Sequence, residues 1–207
     1  MTIRDYLEVS NEFTRELKLA IETLKSSIKV VGLIATNDKP SLAYARATQR
    51  KFSELGIEYD LKSIPRLELE EEISRLNADA SVHGIFIYFP IFFNQQDDYL
   101  RNLVDFRKDI EAGSQYWTRK LYQNDRFATD LDSTKKALLP CTPLAIIKIL
   151  TAQGIYGAPE AKRPLTDKIV TIFNRSEVIG RPLAFINSND RTNVISFVEN
   201  GALDSRN

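Results

Sequence analysis

The sequence predicts an α/β fold whose first and larger part contains a mainly parallel β-sheet. Short apolar segments alternate along the chain with longer amphipathic ones, which is the order expected of strands joined by helices. The apolar run "VHGIFIYFP" (82–90) is unbroken, as expected of a strand that is covered on both faces. In folds of this kind, ligands bind beyond the carboxyl ends of the strands.

The elements of the first part follow from hydrophobic spacing and from turn residues. Gly56, for example, stands where the third of them should end. In chain order the predicted elements are a helix over 10–26, a strand over 29–36, a helix over 40–56, a strand over 57–64, a helix over 67–78, a strand over 82–90 and a helix over 95–104. Residues 105–139 are polar, and we expect them to be irregular.

A second unit of helix, strand, helix and strand follows. The segment "LPCTPLAIIKILTAQG" predicts a helix with Thr142 as its N-cap, Pro143 at its first position and Gly154 just after its end. The rest is predicted as a surface connection over 157–167, a strand over 168–173, a loop and helix over 177–189 and a strand over 193–198. We therefore predict two domains, 1–139 and 140–207.

Composition narrows the class of partner. Lysine and arginine total 28 against 28 aspartate and glutamate, which argues against nucleic acid and anionic membranes as partners. No apolar run approaches the ~20 residues that span a bilayer, and the first residues lack the apolar region of a secretion signal. One cysteine and one histidine, Cys141 and His83, exclude an internal disulfide and argue against a metal site. We expect a soluble cytoplasmic protein that binds small molecules or proteins, with a structural role for His83.

The stretch "TIFNRSEVIGRPLAFINSNDRTNVISFV" (171–198) reads as strand, short loop, helix and strand. In a dinucleotide-binding unit, such a loop lets backbone N–H groups approach a pyrophosphate at the helix N-terminus. Only Gly180 supplies the small residue that this approach favours. The spacing alone leaves open both a nucleotide site and an ordinary turn between strand and helix.

Three ordered segments narrow these alternatives. "VHGIFIYFP", "LPCTPLAI" and "NRSEVIGRP" resemble signatures of the methylenetetrahydrofolate dehydrogenase/cyclohydrolase family, the last of them G-R-S-x-x-V-G-x-P. The resemblance extends from about residue 6 to residue 198. Asn174 replaces the first glycine of that signature and Tyr88 replaces a glutamine, and both changes resemble the fungal NAD-dependent, monofunctional branch.

The resemblance implies an enzyme of one-carbon metabolism and purine biosynthesis. It would oxidise 5,10-methylenetetrahydrofolate to 5,10-methenyltetrahydrofolate with NAD as cofactor. Bifunctional members carry S-x-x-Y-x-x-x-K, whereas "SLAYARAT" keeps Ser41 and Tyr44 but has Thr48 at the lysine position. Because dehydrogenation leaves a cationic product, losing a nearby ammonium hinders hydrolysis more than hydride transfer. We therefore expect no cyclohydrolase activity.

By the same resemblance, Tyr44, Thr48, Tyr88 and Glu111 line the folate site. Glu111 lies in "KDIEAG", which resembles the family's K-D-V-D/E-G-L, and its carboxylate can accept two hydrogen bonds from the guanidine-like edge of a pterin. Asp109 is the competing acceptor, and a solvated acidic loop is a further alternative. Tyr44 and Thr48 would otherwise be one helix face packed on a sheet, and Tyr88 would otherwise belong to the core.

The resemblance also assigns Cys141 to the active site, and Arg175, Ser176, Val198 and Glu199 to the NAD site. A helix N-terminus favours a thiolate at Cys141. Hydride transfer needs no nucleophile, however, so a buried structural cysteine is the alternative. An acid after the second strand, here Glu199, holds the ribose 2′-hydroxyl and repels a 2′-phosphate, which favours NAD over NADP.

Family members continue well beyond the last predicted strand, so we expect a C-terminally truncated chain. By the resemblance, residues 1–139 form the folate-binding catalytic domain, and residues 140–207 form the first part of a Rossmann-type NAD-binding domain, which is incomplete. Two strands and one covering helix leave sheet edges and apolar surface exposed. The family forms homodimers through this domain, so we expect the dimer to be weakened. Two other hypotheses are an inactive folate-binding or interaction protein and an α/β protein without any connection to folate.

Overall fold

A computed structural model describes residues 6–24, 26–129, 132–157, 165, 168–190 and 192–197. By its packing the chain divides into a unit of residues 10–116 and a second unit that contains residues 6–9 and the described residues from 117 onwards. This division falls earlier than residue 139, where we predicted a domain boundary, and that boundary stays a prediction. We describe each unit by itself.

Residues 10–116 are built around a three-stranded parallel sheet with strand order β2, β1, β3. Its strands are β1 (Lys29–Ile34), β2 (Glu58–Ser63) and β3 (Gly84–Ile87). In the centre of the sheet Val30 of β1 pairs with Tyr59 of β2 on one side and with Gly84 of β3 on the other. The predicted parallel α/β fold is confirmed.

Four α-helices lie wholly or mostly in this part of the chain, and a short 3₁₀ turn (Arg66–Glu68) precedes the third of them. They are α1 (Tyr6–Glu22), α2 (Lys39–Glu54), α3 (Leu69–Ala78) and α4 (Gln95–Leu103). All four were predicted from hydrophobic spacing, with bounds that differ by one to a few residues. Asp38 caps α2 by accepting the backbone N–H of Ser41 at 2.9 Å. Gly56 follows the end of α2 with φ 75°, as predicted.

The two faces of the sheet carry separate groups of apolar side chains. Val31 and Leu33 of β1 point to one face, where they pack with Leu69, Ile73 and Leu76 from α3 and Leu100 from α4. Ile34 points to the opposite face, where it packs with Ala45 of α2 and with Phe86 and Tyr88. A strand covered on both faces has apolar residues at successive positions, which is why β1 and β3 read as unbroken apolar runs.

The expectation that residues 105–139 are irregular is wrong. They contain α5 (Gln115–Tyr122) and two strands, β4 (Phe127–Thr129) and β5 (Asp132–Lys136), which pair antiparallel. Strands of three and five residues with the sequences FAT and DSTKK are too short and too polar to show a period of apolar residues. The helix has only eight residues, and its buried side chains are interspersed with charged ones.

The second unit also contains the predicted helix and the predicted unit of strand, helix and strand. These are α6 (Cys141–Ala152), β6 (Ile169–Ile172), α7 (Gly180–Asn189) and β7 (Asn193–Ser196), with β6 and β7 parallel. The prediction that Thr142 caps α6 is wrong, because the helix begins at Cys141 with Pro140 as its N-cap. First-turn N–H groups have no acceptor within a helix, so Pro143 is accepted at the third helical position as well as at the first. Gly154 follows the end of α6 with φ 68°.

The two-stranded sheet of β6 and β7 exposes apolar side chains, as expected. Ile169, Phe173, Ile195 and Phe197 are all exposed. The rings of Phe173 and Phe197 stack with centroids 5.2 Å apart. Among the residues that the structure describes, no helix is long and apolar enough to cross a membrane.

Gly32, in the middle of β1, leaves room for a side chain of the neighbouring strand β2 to lie across β1. A Cβ atom at Gly32 would lie 2.0 Å from the hydroxyl oxygen of Tyr59. The ring of Tyr59 comes from β2, stacks on Phe52 of α2 and places its hydroxyl oxygen 2.7 Å from that of Tyr88, which directly follows β3. The Tyr59 side chain therefore lies across the central strand, and only glycine leaves room for it.

We predict that Gly32→Ala destabilises the protein by about 1–3 kcal/mol, because the added methyl group displaces the Tyr59 ring from its hydrogen bond and its stacking partner. Urea unfolding followed by circular dichroism measures this loss. In a chain that carries Tyr59→Leu, whose shorter side chain does not reach Gly32, the same substitution should cost much less. Equal costs in both backgrounds would show that Tyr59 does not determine the need for glycine.

Candidate functional site

Four predicted folate-site residues lie in the unit of residues 10–116. Tyr44 and Thr48 are on α2, Tyr88 directly follows β3, and Glu111 lies on the loop after α4. Tyr88 and the start of α2 thus lie beyond the carboxyl ends of parallel strands, where ligands bind in this class of fold. That these residues bind folate stays a prediction.

Tyr44 presents an exposed aromatic ring on a buried aromatic base. Its side chain is 58% exposed, whereas Tyr88 is 2% exposed. The ring of Tyr44 meets that of Tyr88 edge to face, with centroids 5.6 Å apart and an interplanar angle of 87°. Phe86 lies 6.1 Å from Tyr44 in a similar arrangement. An exposed ring held in this way offers a flat apolar surface to a planar heterocycle.

Thr48 lies one helical turn after Tyr44. Its hydroxyl donates to the backbone carbonyl of Tyr44 at 3.0 Å, and its side chain is half-buried. This position therefore holds a neutral hydroxyl that is already bonded within the helix.

Tyr44, Phe86 and Tyr88 form an aromatic cluster, and the structure adds Tyr59 to it. Sequence reasoning does not identify Tyr59. Its hydroxyl pairs with that of Tyr88, and burial together with this hydrogen bond raises the pKa of Tyr59. The phenol therefore keeps its proton at neutral pH. Gly32 is the one signal in the sequence, since a glycine inside a strand often marks the close approach of another group.

The segment after Tyr88 is fixed by a buried carboxylate. Asp97 of α4 accepts the backbone N–H groups of Ile91, Phe92 and Phe93, with its shortest contact, to Phe92, at 2.8 Å. These bonds hold the chain where it leaves β3.

Two residues of the "KDIEAG" loop hold it in place. Lys108 donates to three backbone carbonyl groups at and after the end of α3, at 2.7 to 2.9 Å. Asp109 is 6% exposed and accepts the backbone N–H of Ser114 at 2.8 Å, as well as those of Glu111 and Gly113 at 3.2 and 3.4 Å. The carboxylate of Asp109 is thus occupied within the loop.

The Glu111 carboxylate is the available acceptor. It accepts no hydrogen bond from any residue that the structure describes, and it lines a small cavity together with Ile87, Phe89 and Arg101. Burial and the nearby charge of Asp109 raise the pKa of Glu111 to about 7, while Arg101 acts in the opposite direction. Glu111 is largely buried, unlike a residue of a solvated acidic loop, and a ligand with paired N–H donors would suit it.

Ala112 stands where the resembled motif has glycine. It has φ 52° and is fully buried. The loop therefore keeps the left-handed turn that glycine favours, at a cost of about 1 kcal/mol for a residue with a Cβ atom.

His83 has structural contacts. Its Nδ1 atom accepts the backbone N–H of Lys29 at 3.1 Å, and its own backbone N–H donates to the carbonyl of Lys29 at 2.8 Å. These bonds join the start of β1 to the segment before β3. The described residues contain no group of histidine, cysteine, aspartate and glutamate side chains that could hold a metal ion.

The predicted NAD-site residues that the structure describes lie in the second unit. Arg175 and Ser176 are exposed on the loop between β6 and α7. The Ser176 hydroxyl accepts the backbone N–H of Ile179 at 3.2 Å, which helps to form the start of α7. A Cβ atom at Gly180 would lie 2.0 Å from the carbonyl oxygen of Asn174, so glycine allows this helix to begin directly against the loop that follows β6.

Two predicted NAD-site residues and the predicted active-site residue Cys141 remain. Val198 and Glu199 lie outside the described residues. Cys141 is the first residue of α6 and is exposed, so it is not the buried structural cysteine that we considered as an alternative. Its role stays a prediction.

We predict that Glu111→Gln stabilises the protein at alkaline but not at acidic pH. Because the folded-state pKa of Glu111 is about 7 instead of 4.5, ionisation opposes folding, and this penalty grows as pH rises from about 4.5 to 7 and is complete above it. Urea unfolding at pH 8 should show a gain of about 1–3 kcal/mol, and unfolding near pH 4.5 a much smaller one. An equal gain at both pH values would contradict the raised pKa.

Asp109→Asn provides the matched control two residues away. Its carboxylate accepts three backbone N–H groups, so the change to an amide should destabilise the protein at both pH values.

Sequence comparison shows which proteins this chain resembles. Residues 5–111 match the family model described as tetrahydrofolate dehydrogenase/cyclohydrolase, catalytic domain. The protein named methylenetetrahydrofolate dehydrogenase [NAD(+)] from Schizosaccharomyces pombe is 40% identical to this chain, over 91% of this chain and 59% of the relative. The protein of the same name from Dictyostelium discoideum is 39% identical over 96% of this chain and 64% of the relative. The chain thus spans about 60% of the length of these relatives.

Structural comparison agrees with this result. The NAD-dependent 5,10-methylenetetrahydrofolate dehydrogenase of Saccharomyces cerevisiae superposes with a TM-score of 0.86 at 38% identity, over 93% of this chain and 62% of that one. The bifunctional dehydrogenase/cyclohydrolase of Thermoplasma acidophilum superposes with a TM-score of 0.74 at 26% identity, over 94% of this chain and 65% of that one. An α/β protein without a connection to this family is therefore excluded. The chain belongs to the tetrahydrofolate dehydrogenase/cyclohydrolase family.

Proposed function

We propose that this chain performs the NAD-dependent oxidation of 5,10-methylenetetrahydrofolate to 5,10-methenyltetrahydrofolate and has no cyclohydrolase activity. The observation that carries the proposal is the pairing of an exposed ring, Tyr44, with an available, largely buried carboxylate, Glu111, in one folded unit. The names of the relatives support the reaction and the choice of NAD.

The folate side of the site would bind and orient the substrate. Tyr44 supplies a surface for stacking the pterin, and Glu111 accepts hydrogen bonds from its N–H donors. Tyr88 supports the Tyr44 ring from below. Contacts of this kind suit the reaction, because hydride transfer requires orientation of the reactants and no nucleophile.

Thr48 supports the absence of cyclohydrolase activity. Its hydroxyl already donates its one proton to the carbonyl of Tyr44, so it has no proton left to donate to an attacking water or to a substrate atom. The site also places no ammonium group at this position, where one would repel the cationic product of the oxidation.

The loop between β6 and α7 supports the NAD part of the proposal. Gly180 lets α7 begin against the loop that follows β6, and this loop carries the exposed residues Arg175 and Ser176. Backbone N–H groups and a guanidinium at such a position suit a pyrophosphate. Val198 and Glu199 would complete the site at the ribose. When bound, NAD supplies the acceptor for the hydride.

The other candidate function is folate binding without turnover. It is favoured by one observation, which is that all predicted folate-binding residues lie in residues 10–116 while the predicted NAD-binding residues lie in the other unit. A chain that folds the first unit alone would still bind folate.

One experiment separates the two functions. Purified protein is supplied with methylenetetrahydrofolate and NAD, NADH is followed by absorbance at high protein concentration, and tetrahydrofolate binding is measured by calorimetry. NADH formation together with binding is the result that we expect. Binding without NADH leaves the folate-binding protein, and the absence of binding contradicts both.

We further propose a cytoplasmic location and a small-molecule substrate. The single cysteine suits a reducing compartment, and the balanced charge suits a partner other than nucleic acid. Homodimer formation stays a prediction, which sedimentation of the purified chain would test.

Folate affinity should increase with pH, because only the ionised form of Glu111 accepts two hydrogen bonds. With a pKa of about 7, the ionised fraction of Glu111 rises about tenfold between pH 6 and pH 8. Calorimetric titration with tetrahydrofolate should show a gain in affinity of similar size. In Glu111→Gln this gain should disappear, and a variant that kept it would exclude Glu111 as the acceptor.

A further inference from the structure

The hydroxyl pair of Tyr59 and Tyr88 connects the edge strand β2 to the chain that leaves β3. The two oxygens are 2.7 Å apart, and the connection passes over the central strand at Gly32. The Tyr59 ring is fixed on its other side by Phe52, whose ring lies 4.9 Å away at an interplanar angle of 29°. Tyr59 thus has a defined position before any ligand binds.

Tyr88 transmits this position to the surface. Its ring is buried and meets the ring of Tyr44, which is mostly exposed. The ring of Phe86 lies next to both, with its centroid 4.8 Å from that of Tyr88 and 6.1 Å from that of Tyr44. A change in the tilt of Tyr88 would therefore change the support beneath Tyr44.

The hydrogen bond is the polar contact that orients the Tyr88 ring. Tyr88 also packs with Ile34 and Ala45 and meets the rings of Phe86 and Tyr44, but among the described residues Tyr59 is its one side-chain hydrogen-bond partner. Removing the Tyr59 hydroxyl would leave the Tyr88 hydroxyl buried without this partner. Because a buried hydroxyl without a partner is costly, we expect the Tyr88 ring to shift toward another partner or toward solvent.

Electrostatics connects Tyr59 to the other part of the site. Burial and the hydrogen bond to Tyr88 are the main causes that raise the pKa of Tyr59, and the negative charge of Glu111 adds to them. Tyr59 is in direct contact with one predicted folate residue, Tyr88.

We propose that Tyr59 is a positioning residue of the folate site, which holds the ring of Tyr88, and through it that of Tyr44, in the orientation that binds the pterin. The inference rests on the proposed folate-binding function. Tyr59 itself lies beneath the site and acts through its neighbours.

Calorimetric titration of the full chain with tetrahydrofolate tests this role. Tyr59→Phe keeps the ring and its stacking on Phe52 but removes the hydroxyl, and we expect it to weaken binding by about three- to tenfold. Tyr99→Phe is the matched control. Tyr99 also donates a hydrogen bond through its hydroxyl, to Glu70 at 2.7 Å, but it lies on α4 outside the cluster. Its loss should leave the affinity within about twofold of the wild-type value.

A double-substitution cycle separates positioning from general stability. If Tyr59 acts through the hydroxyl of Tyr88, then Tyr59→Phe should cause no further loss of affinity in a chain that already carries Tyr88→Phe. The titrations are run at a temperature where thermal unfolding shows every variant to be folded. A purely structural role would lower Tm and leave the affinity unchanged.

The possible outcomes are distinct. Wild-type protein that binds tetrahydrofolate while Tyr59→Phe binds it equally well would overturn the positioning role and leave the folate function intact. Wild-type protein that does not bind would overturn the proposed function and this inference with it. If Tyr59→Phe fails to fold, Tyr88→Phe tests the pair from its other side, and an unchanged affinity there overturns the inference.

Discussion

The central strand β1 has a neighbouring strand on each edge and apolar cover on each face, so each of its side chains must fit a space that other elements define. Val31 and Leu33 fill the space toward α3 and α4, and Ile34 fills that toward α2. At Gly32 the space is filled by the Tyr59 ring from a neighbouring strand. Because Gly32 has no side chain, the Tyr59 ring can cross the central strand and reach Tyr88, which in turn contacts the exposed ring of Tyr44.

Two buried carboxylates, Asp97 and Asp109, have the same role in two loops near β3. Asp97 binds three backbone N–H groups just beyond Tyr88, and Asp109 binds three around Glu111. Each carboxylate satisfies donors that would otherwise be buried without partners, and each holds in place a loop that carries a predicted folate residue. Glu111 then lies against a cavity with apolar walls, where its ionisation opposes folding but suits a ligand with N–H donors.

Much of the fold could be predicted from the sequence, because buried strands and amphipathic helices leave periodic patterns. β1, β3 and α2 carry such patterns. The hairpin of β4 and β5 does not, since its strands are short and polar, and α6 begins one residue before Thr142 because its first turn tolerates Pro143 at more than one position. The sequence motifs identify Tyr44, Tyr88 and Glu111 individually. They do not predict the hydrogen bond between Tyr59 and Tyr88, because these residues are 29 positions apart and only the parallel sheet brings them together.

The central claim is that residues 10–116 contain a folate site with Tyr44 as stacking surface and Glu111 as acceptor. A crystal structure of the full chain with tetrahydrofolate bound tests it most directly. We expect the pterin ring against the exposed face of Tyr44, with its N–H donors about 3 Å from the carboxylate of Glu111. A pterin bound elsewhere, or one bonded to Asp109 in place of Glu111, would contradict the claim.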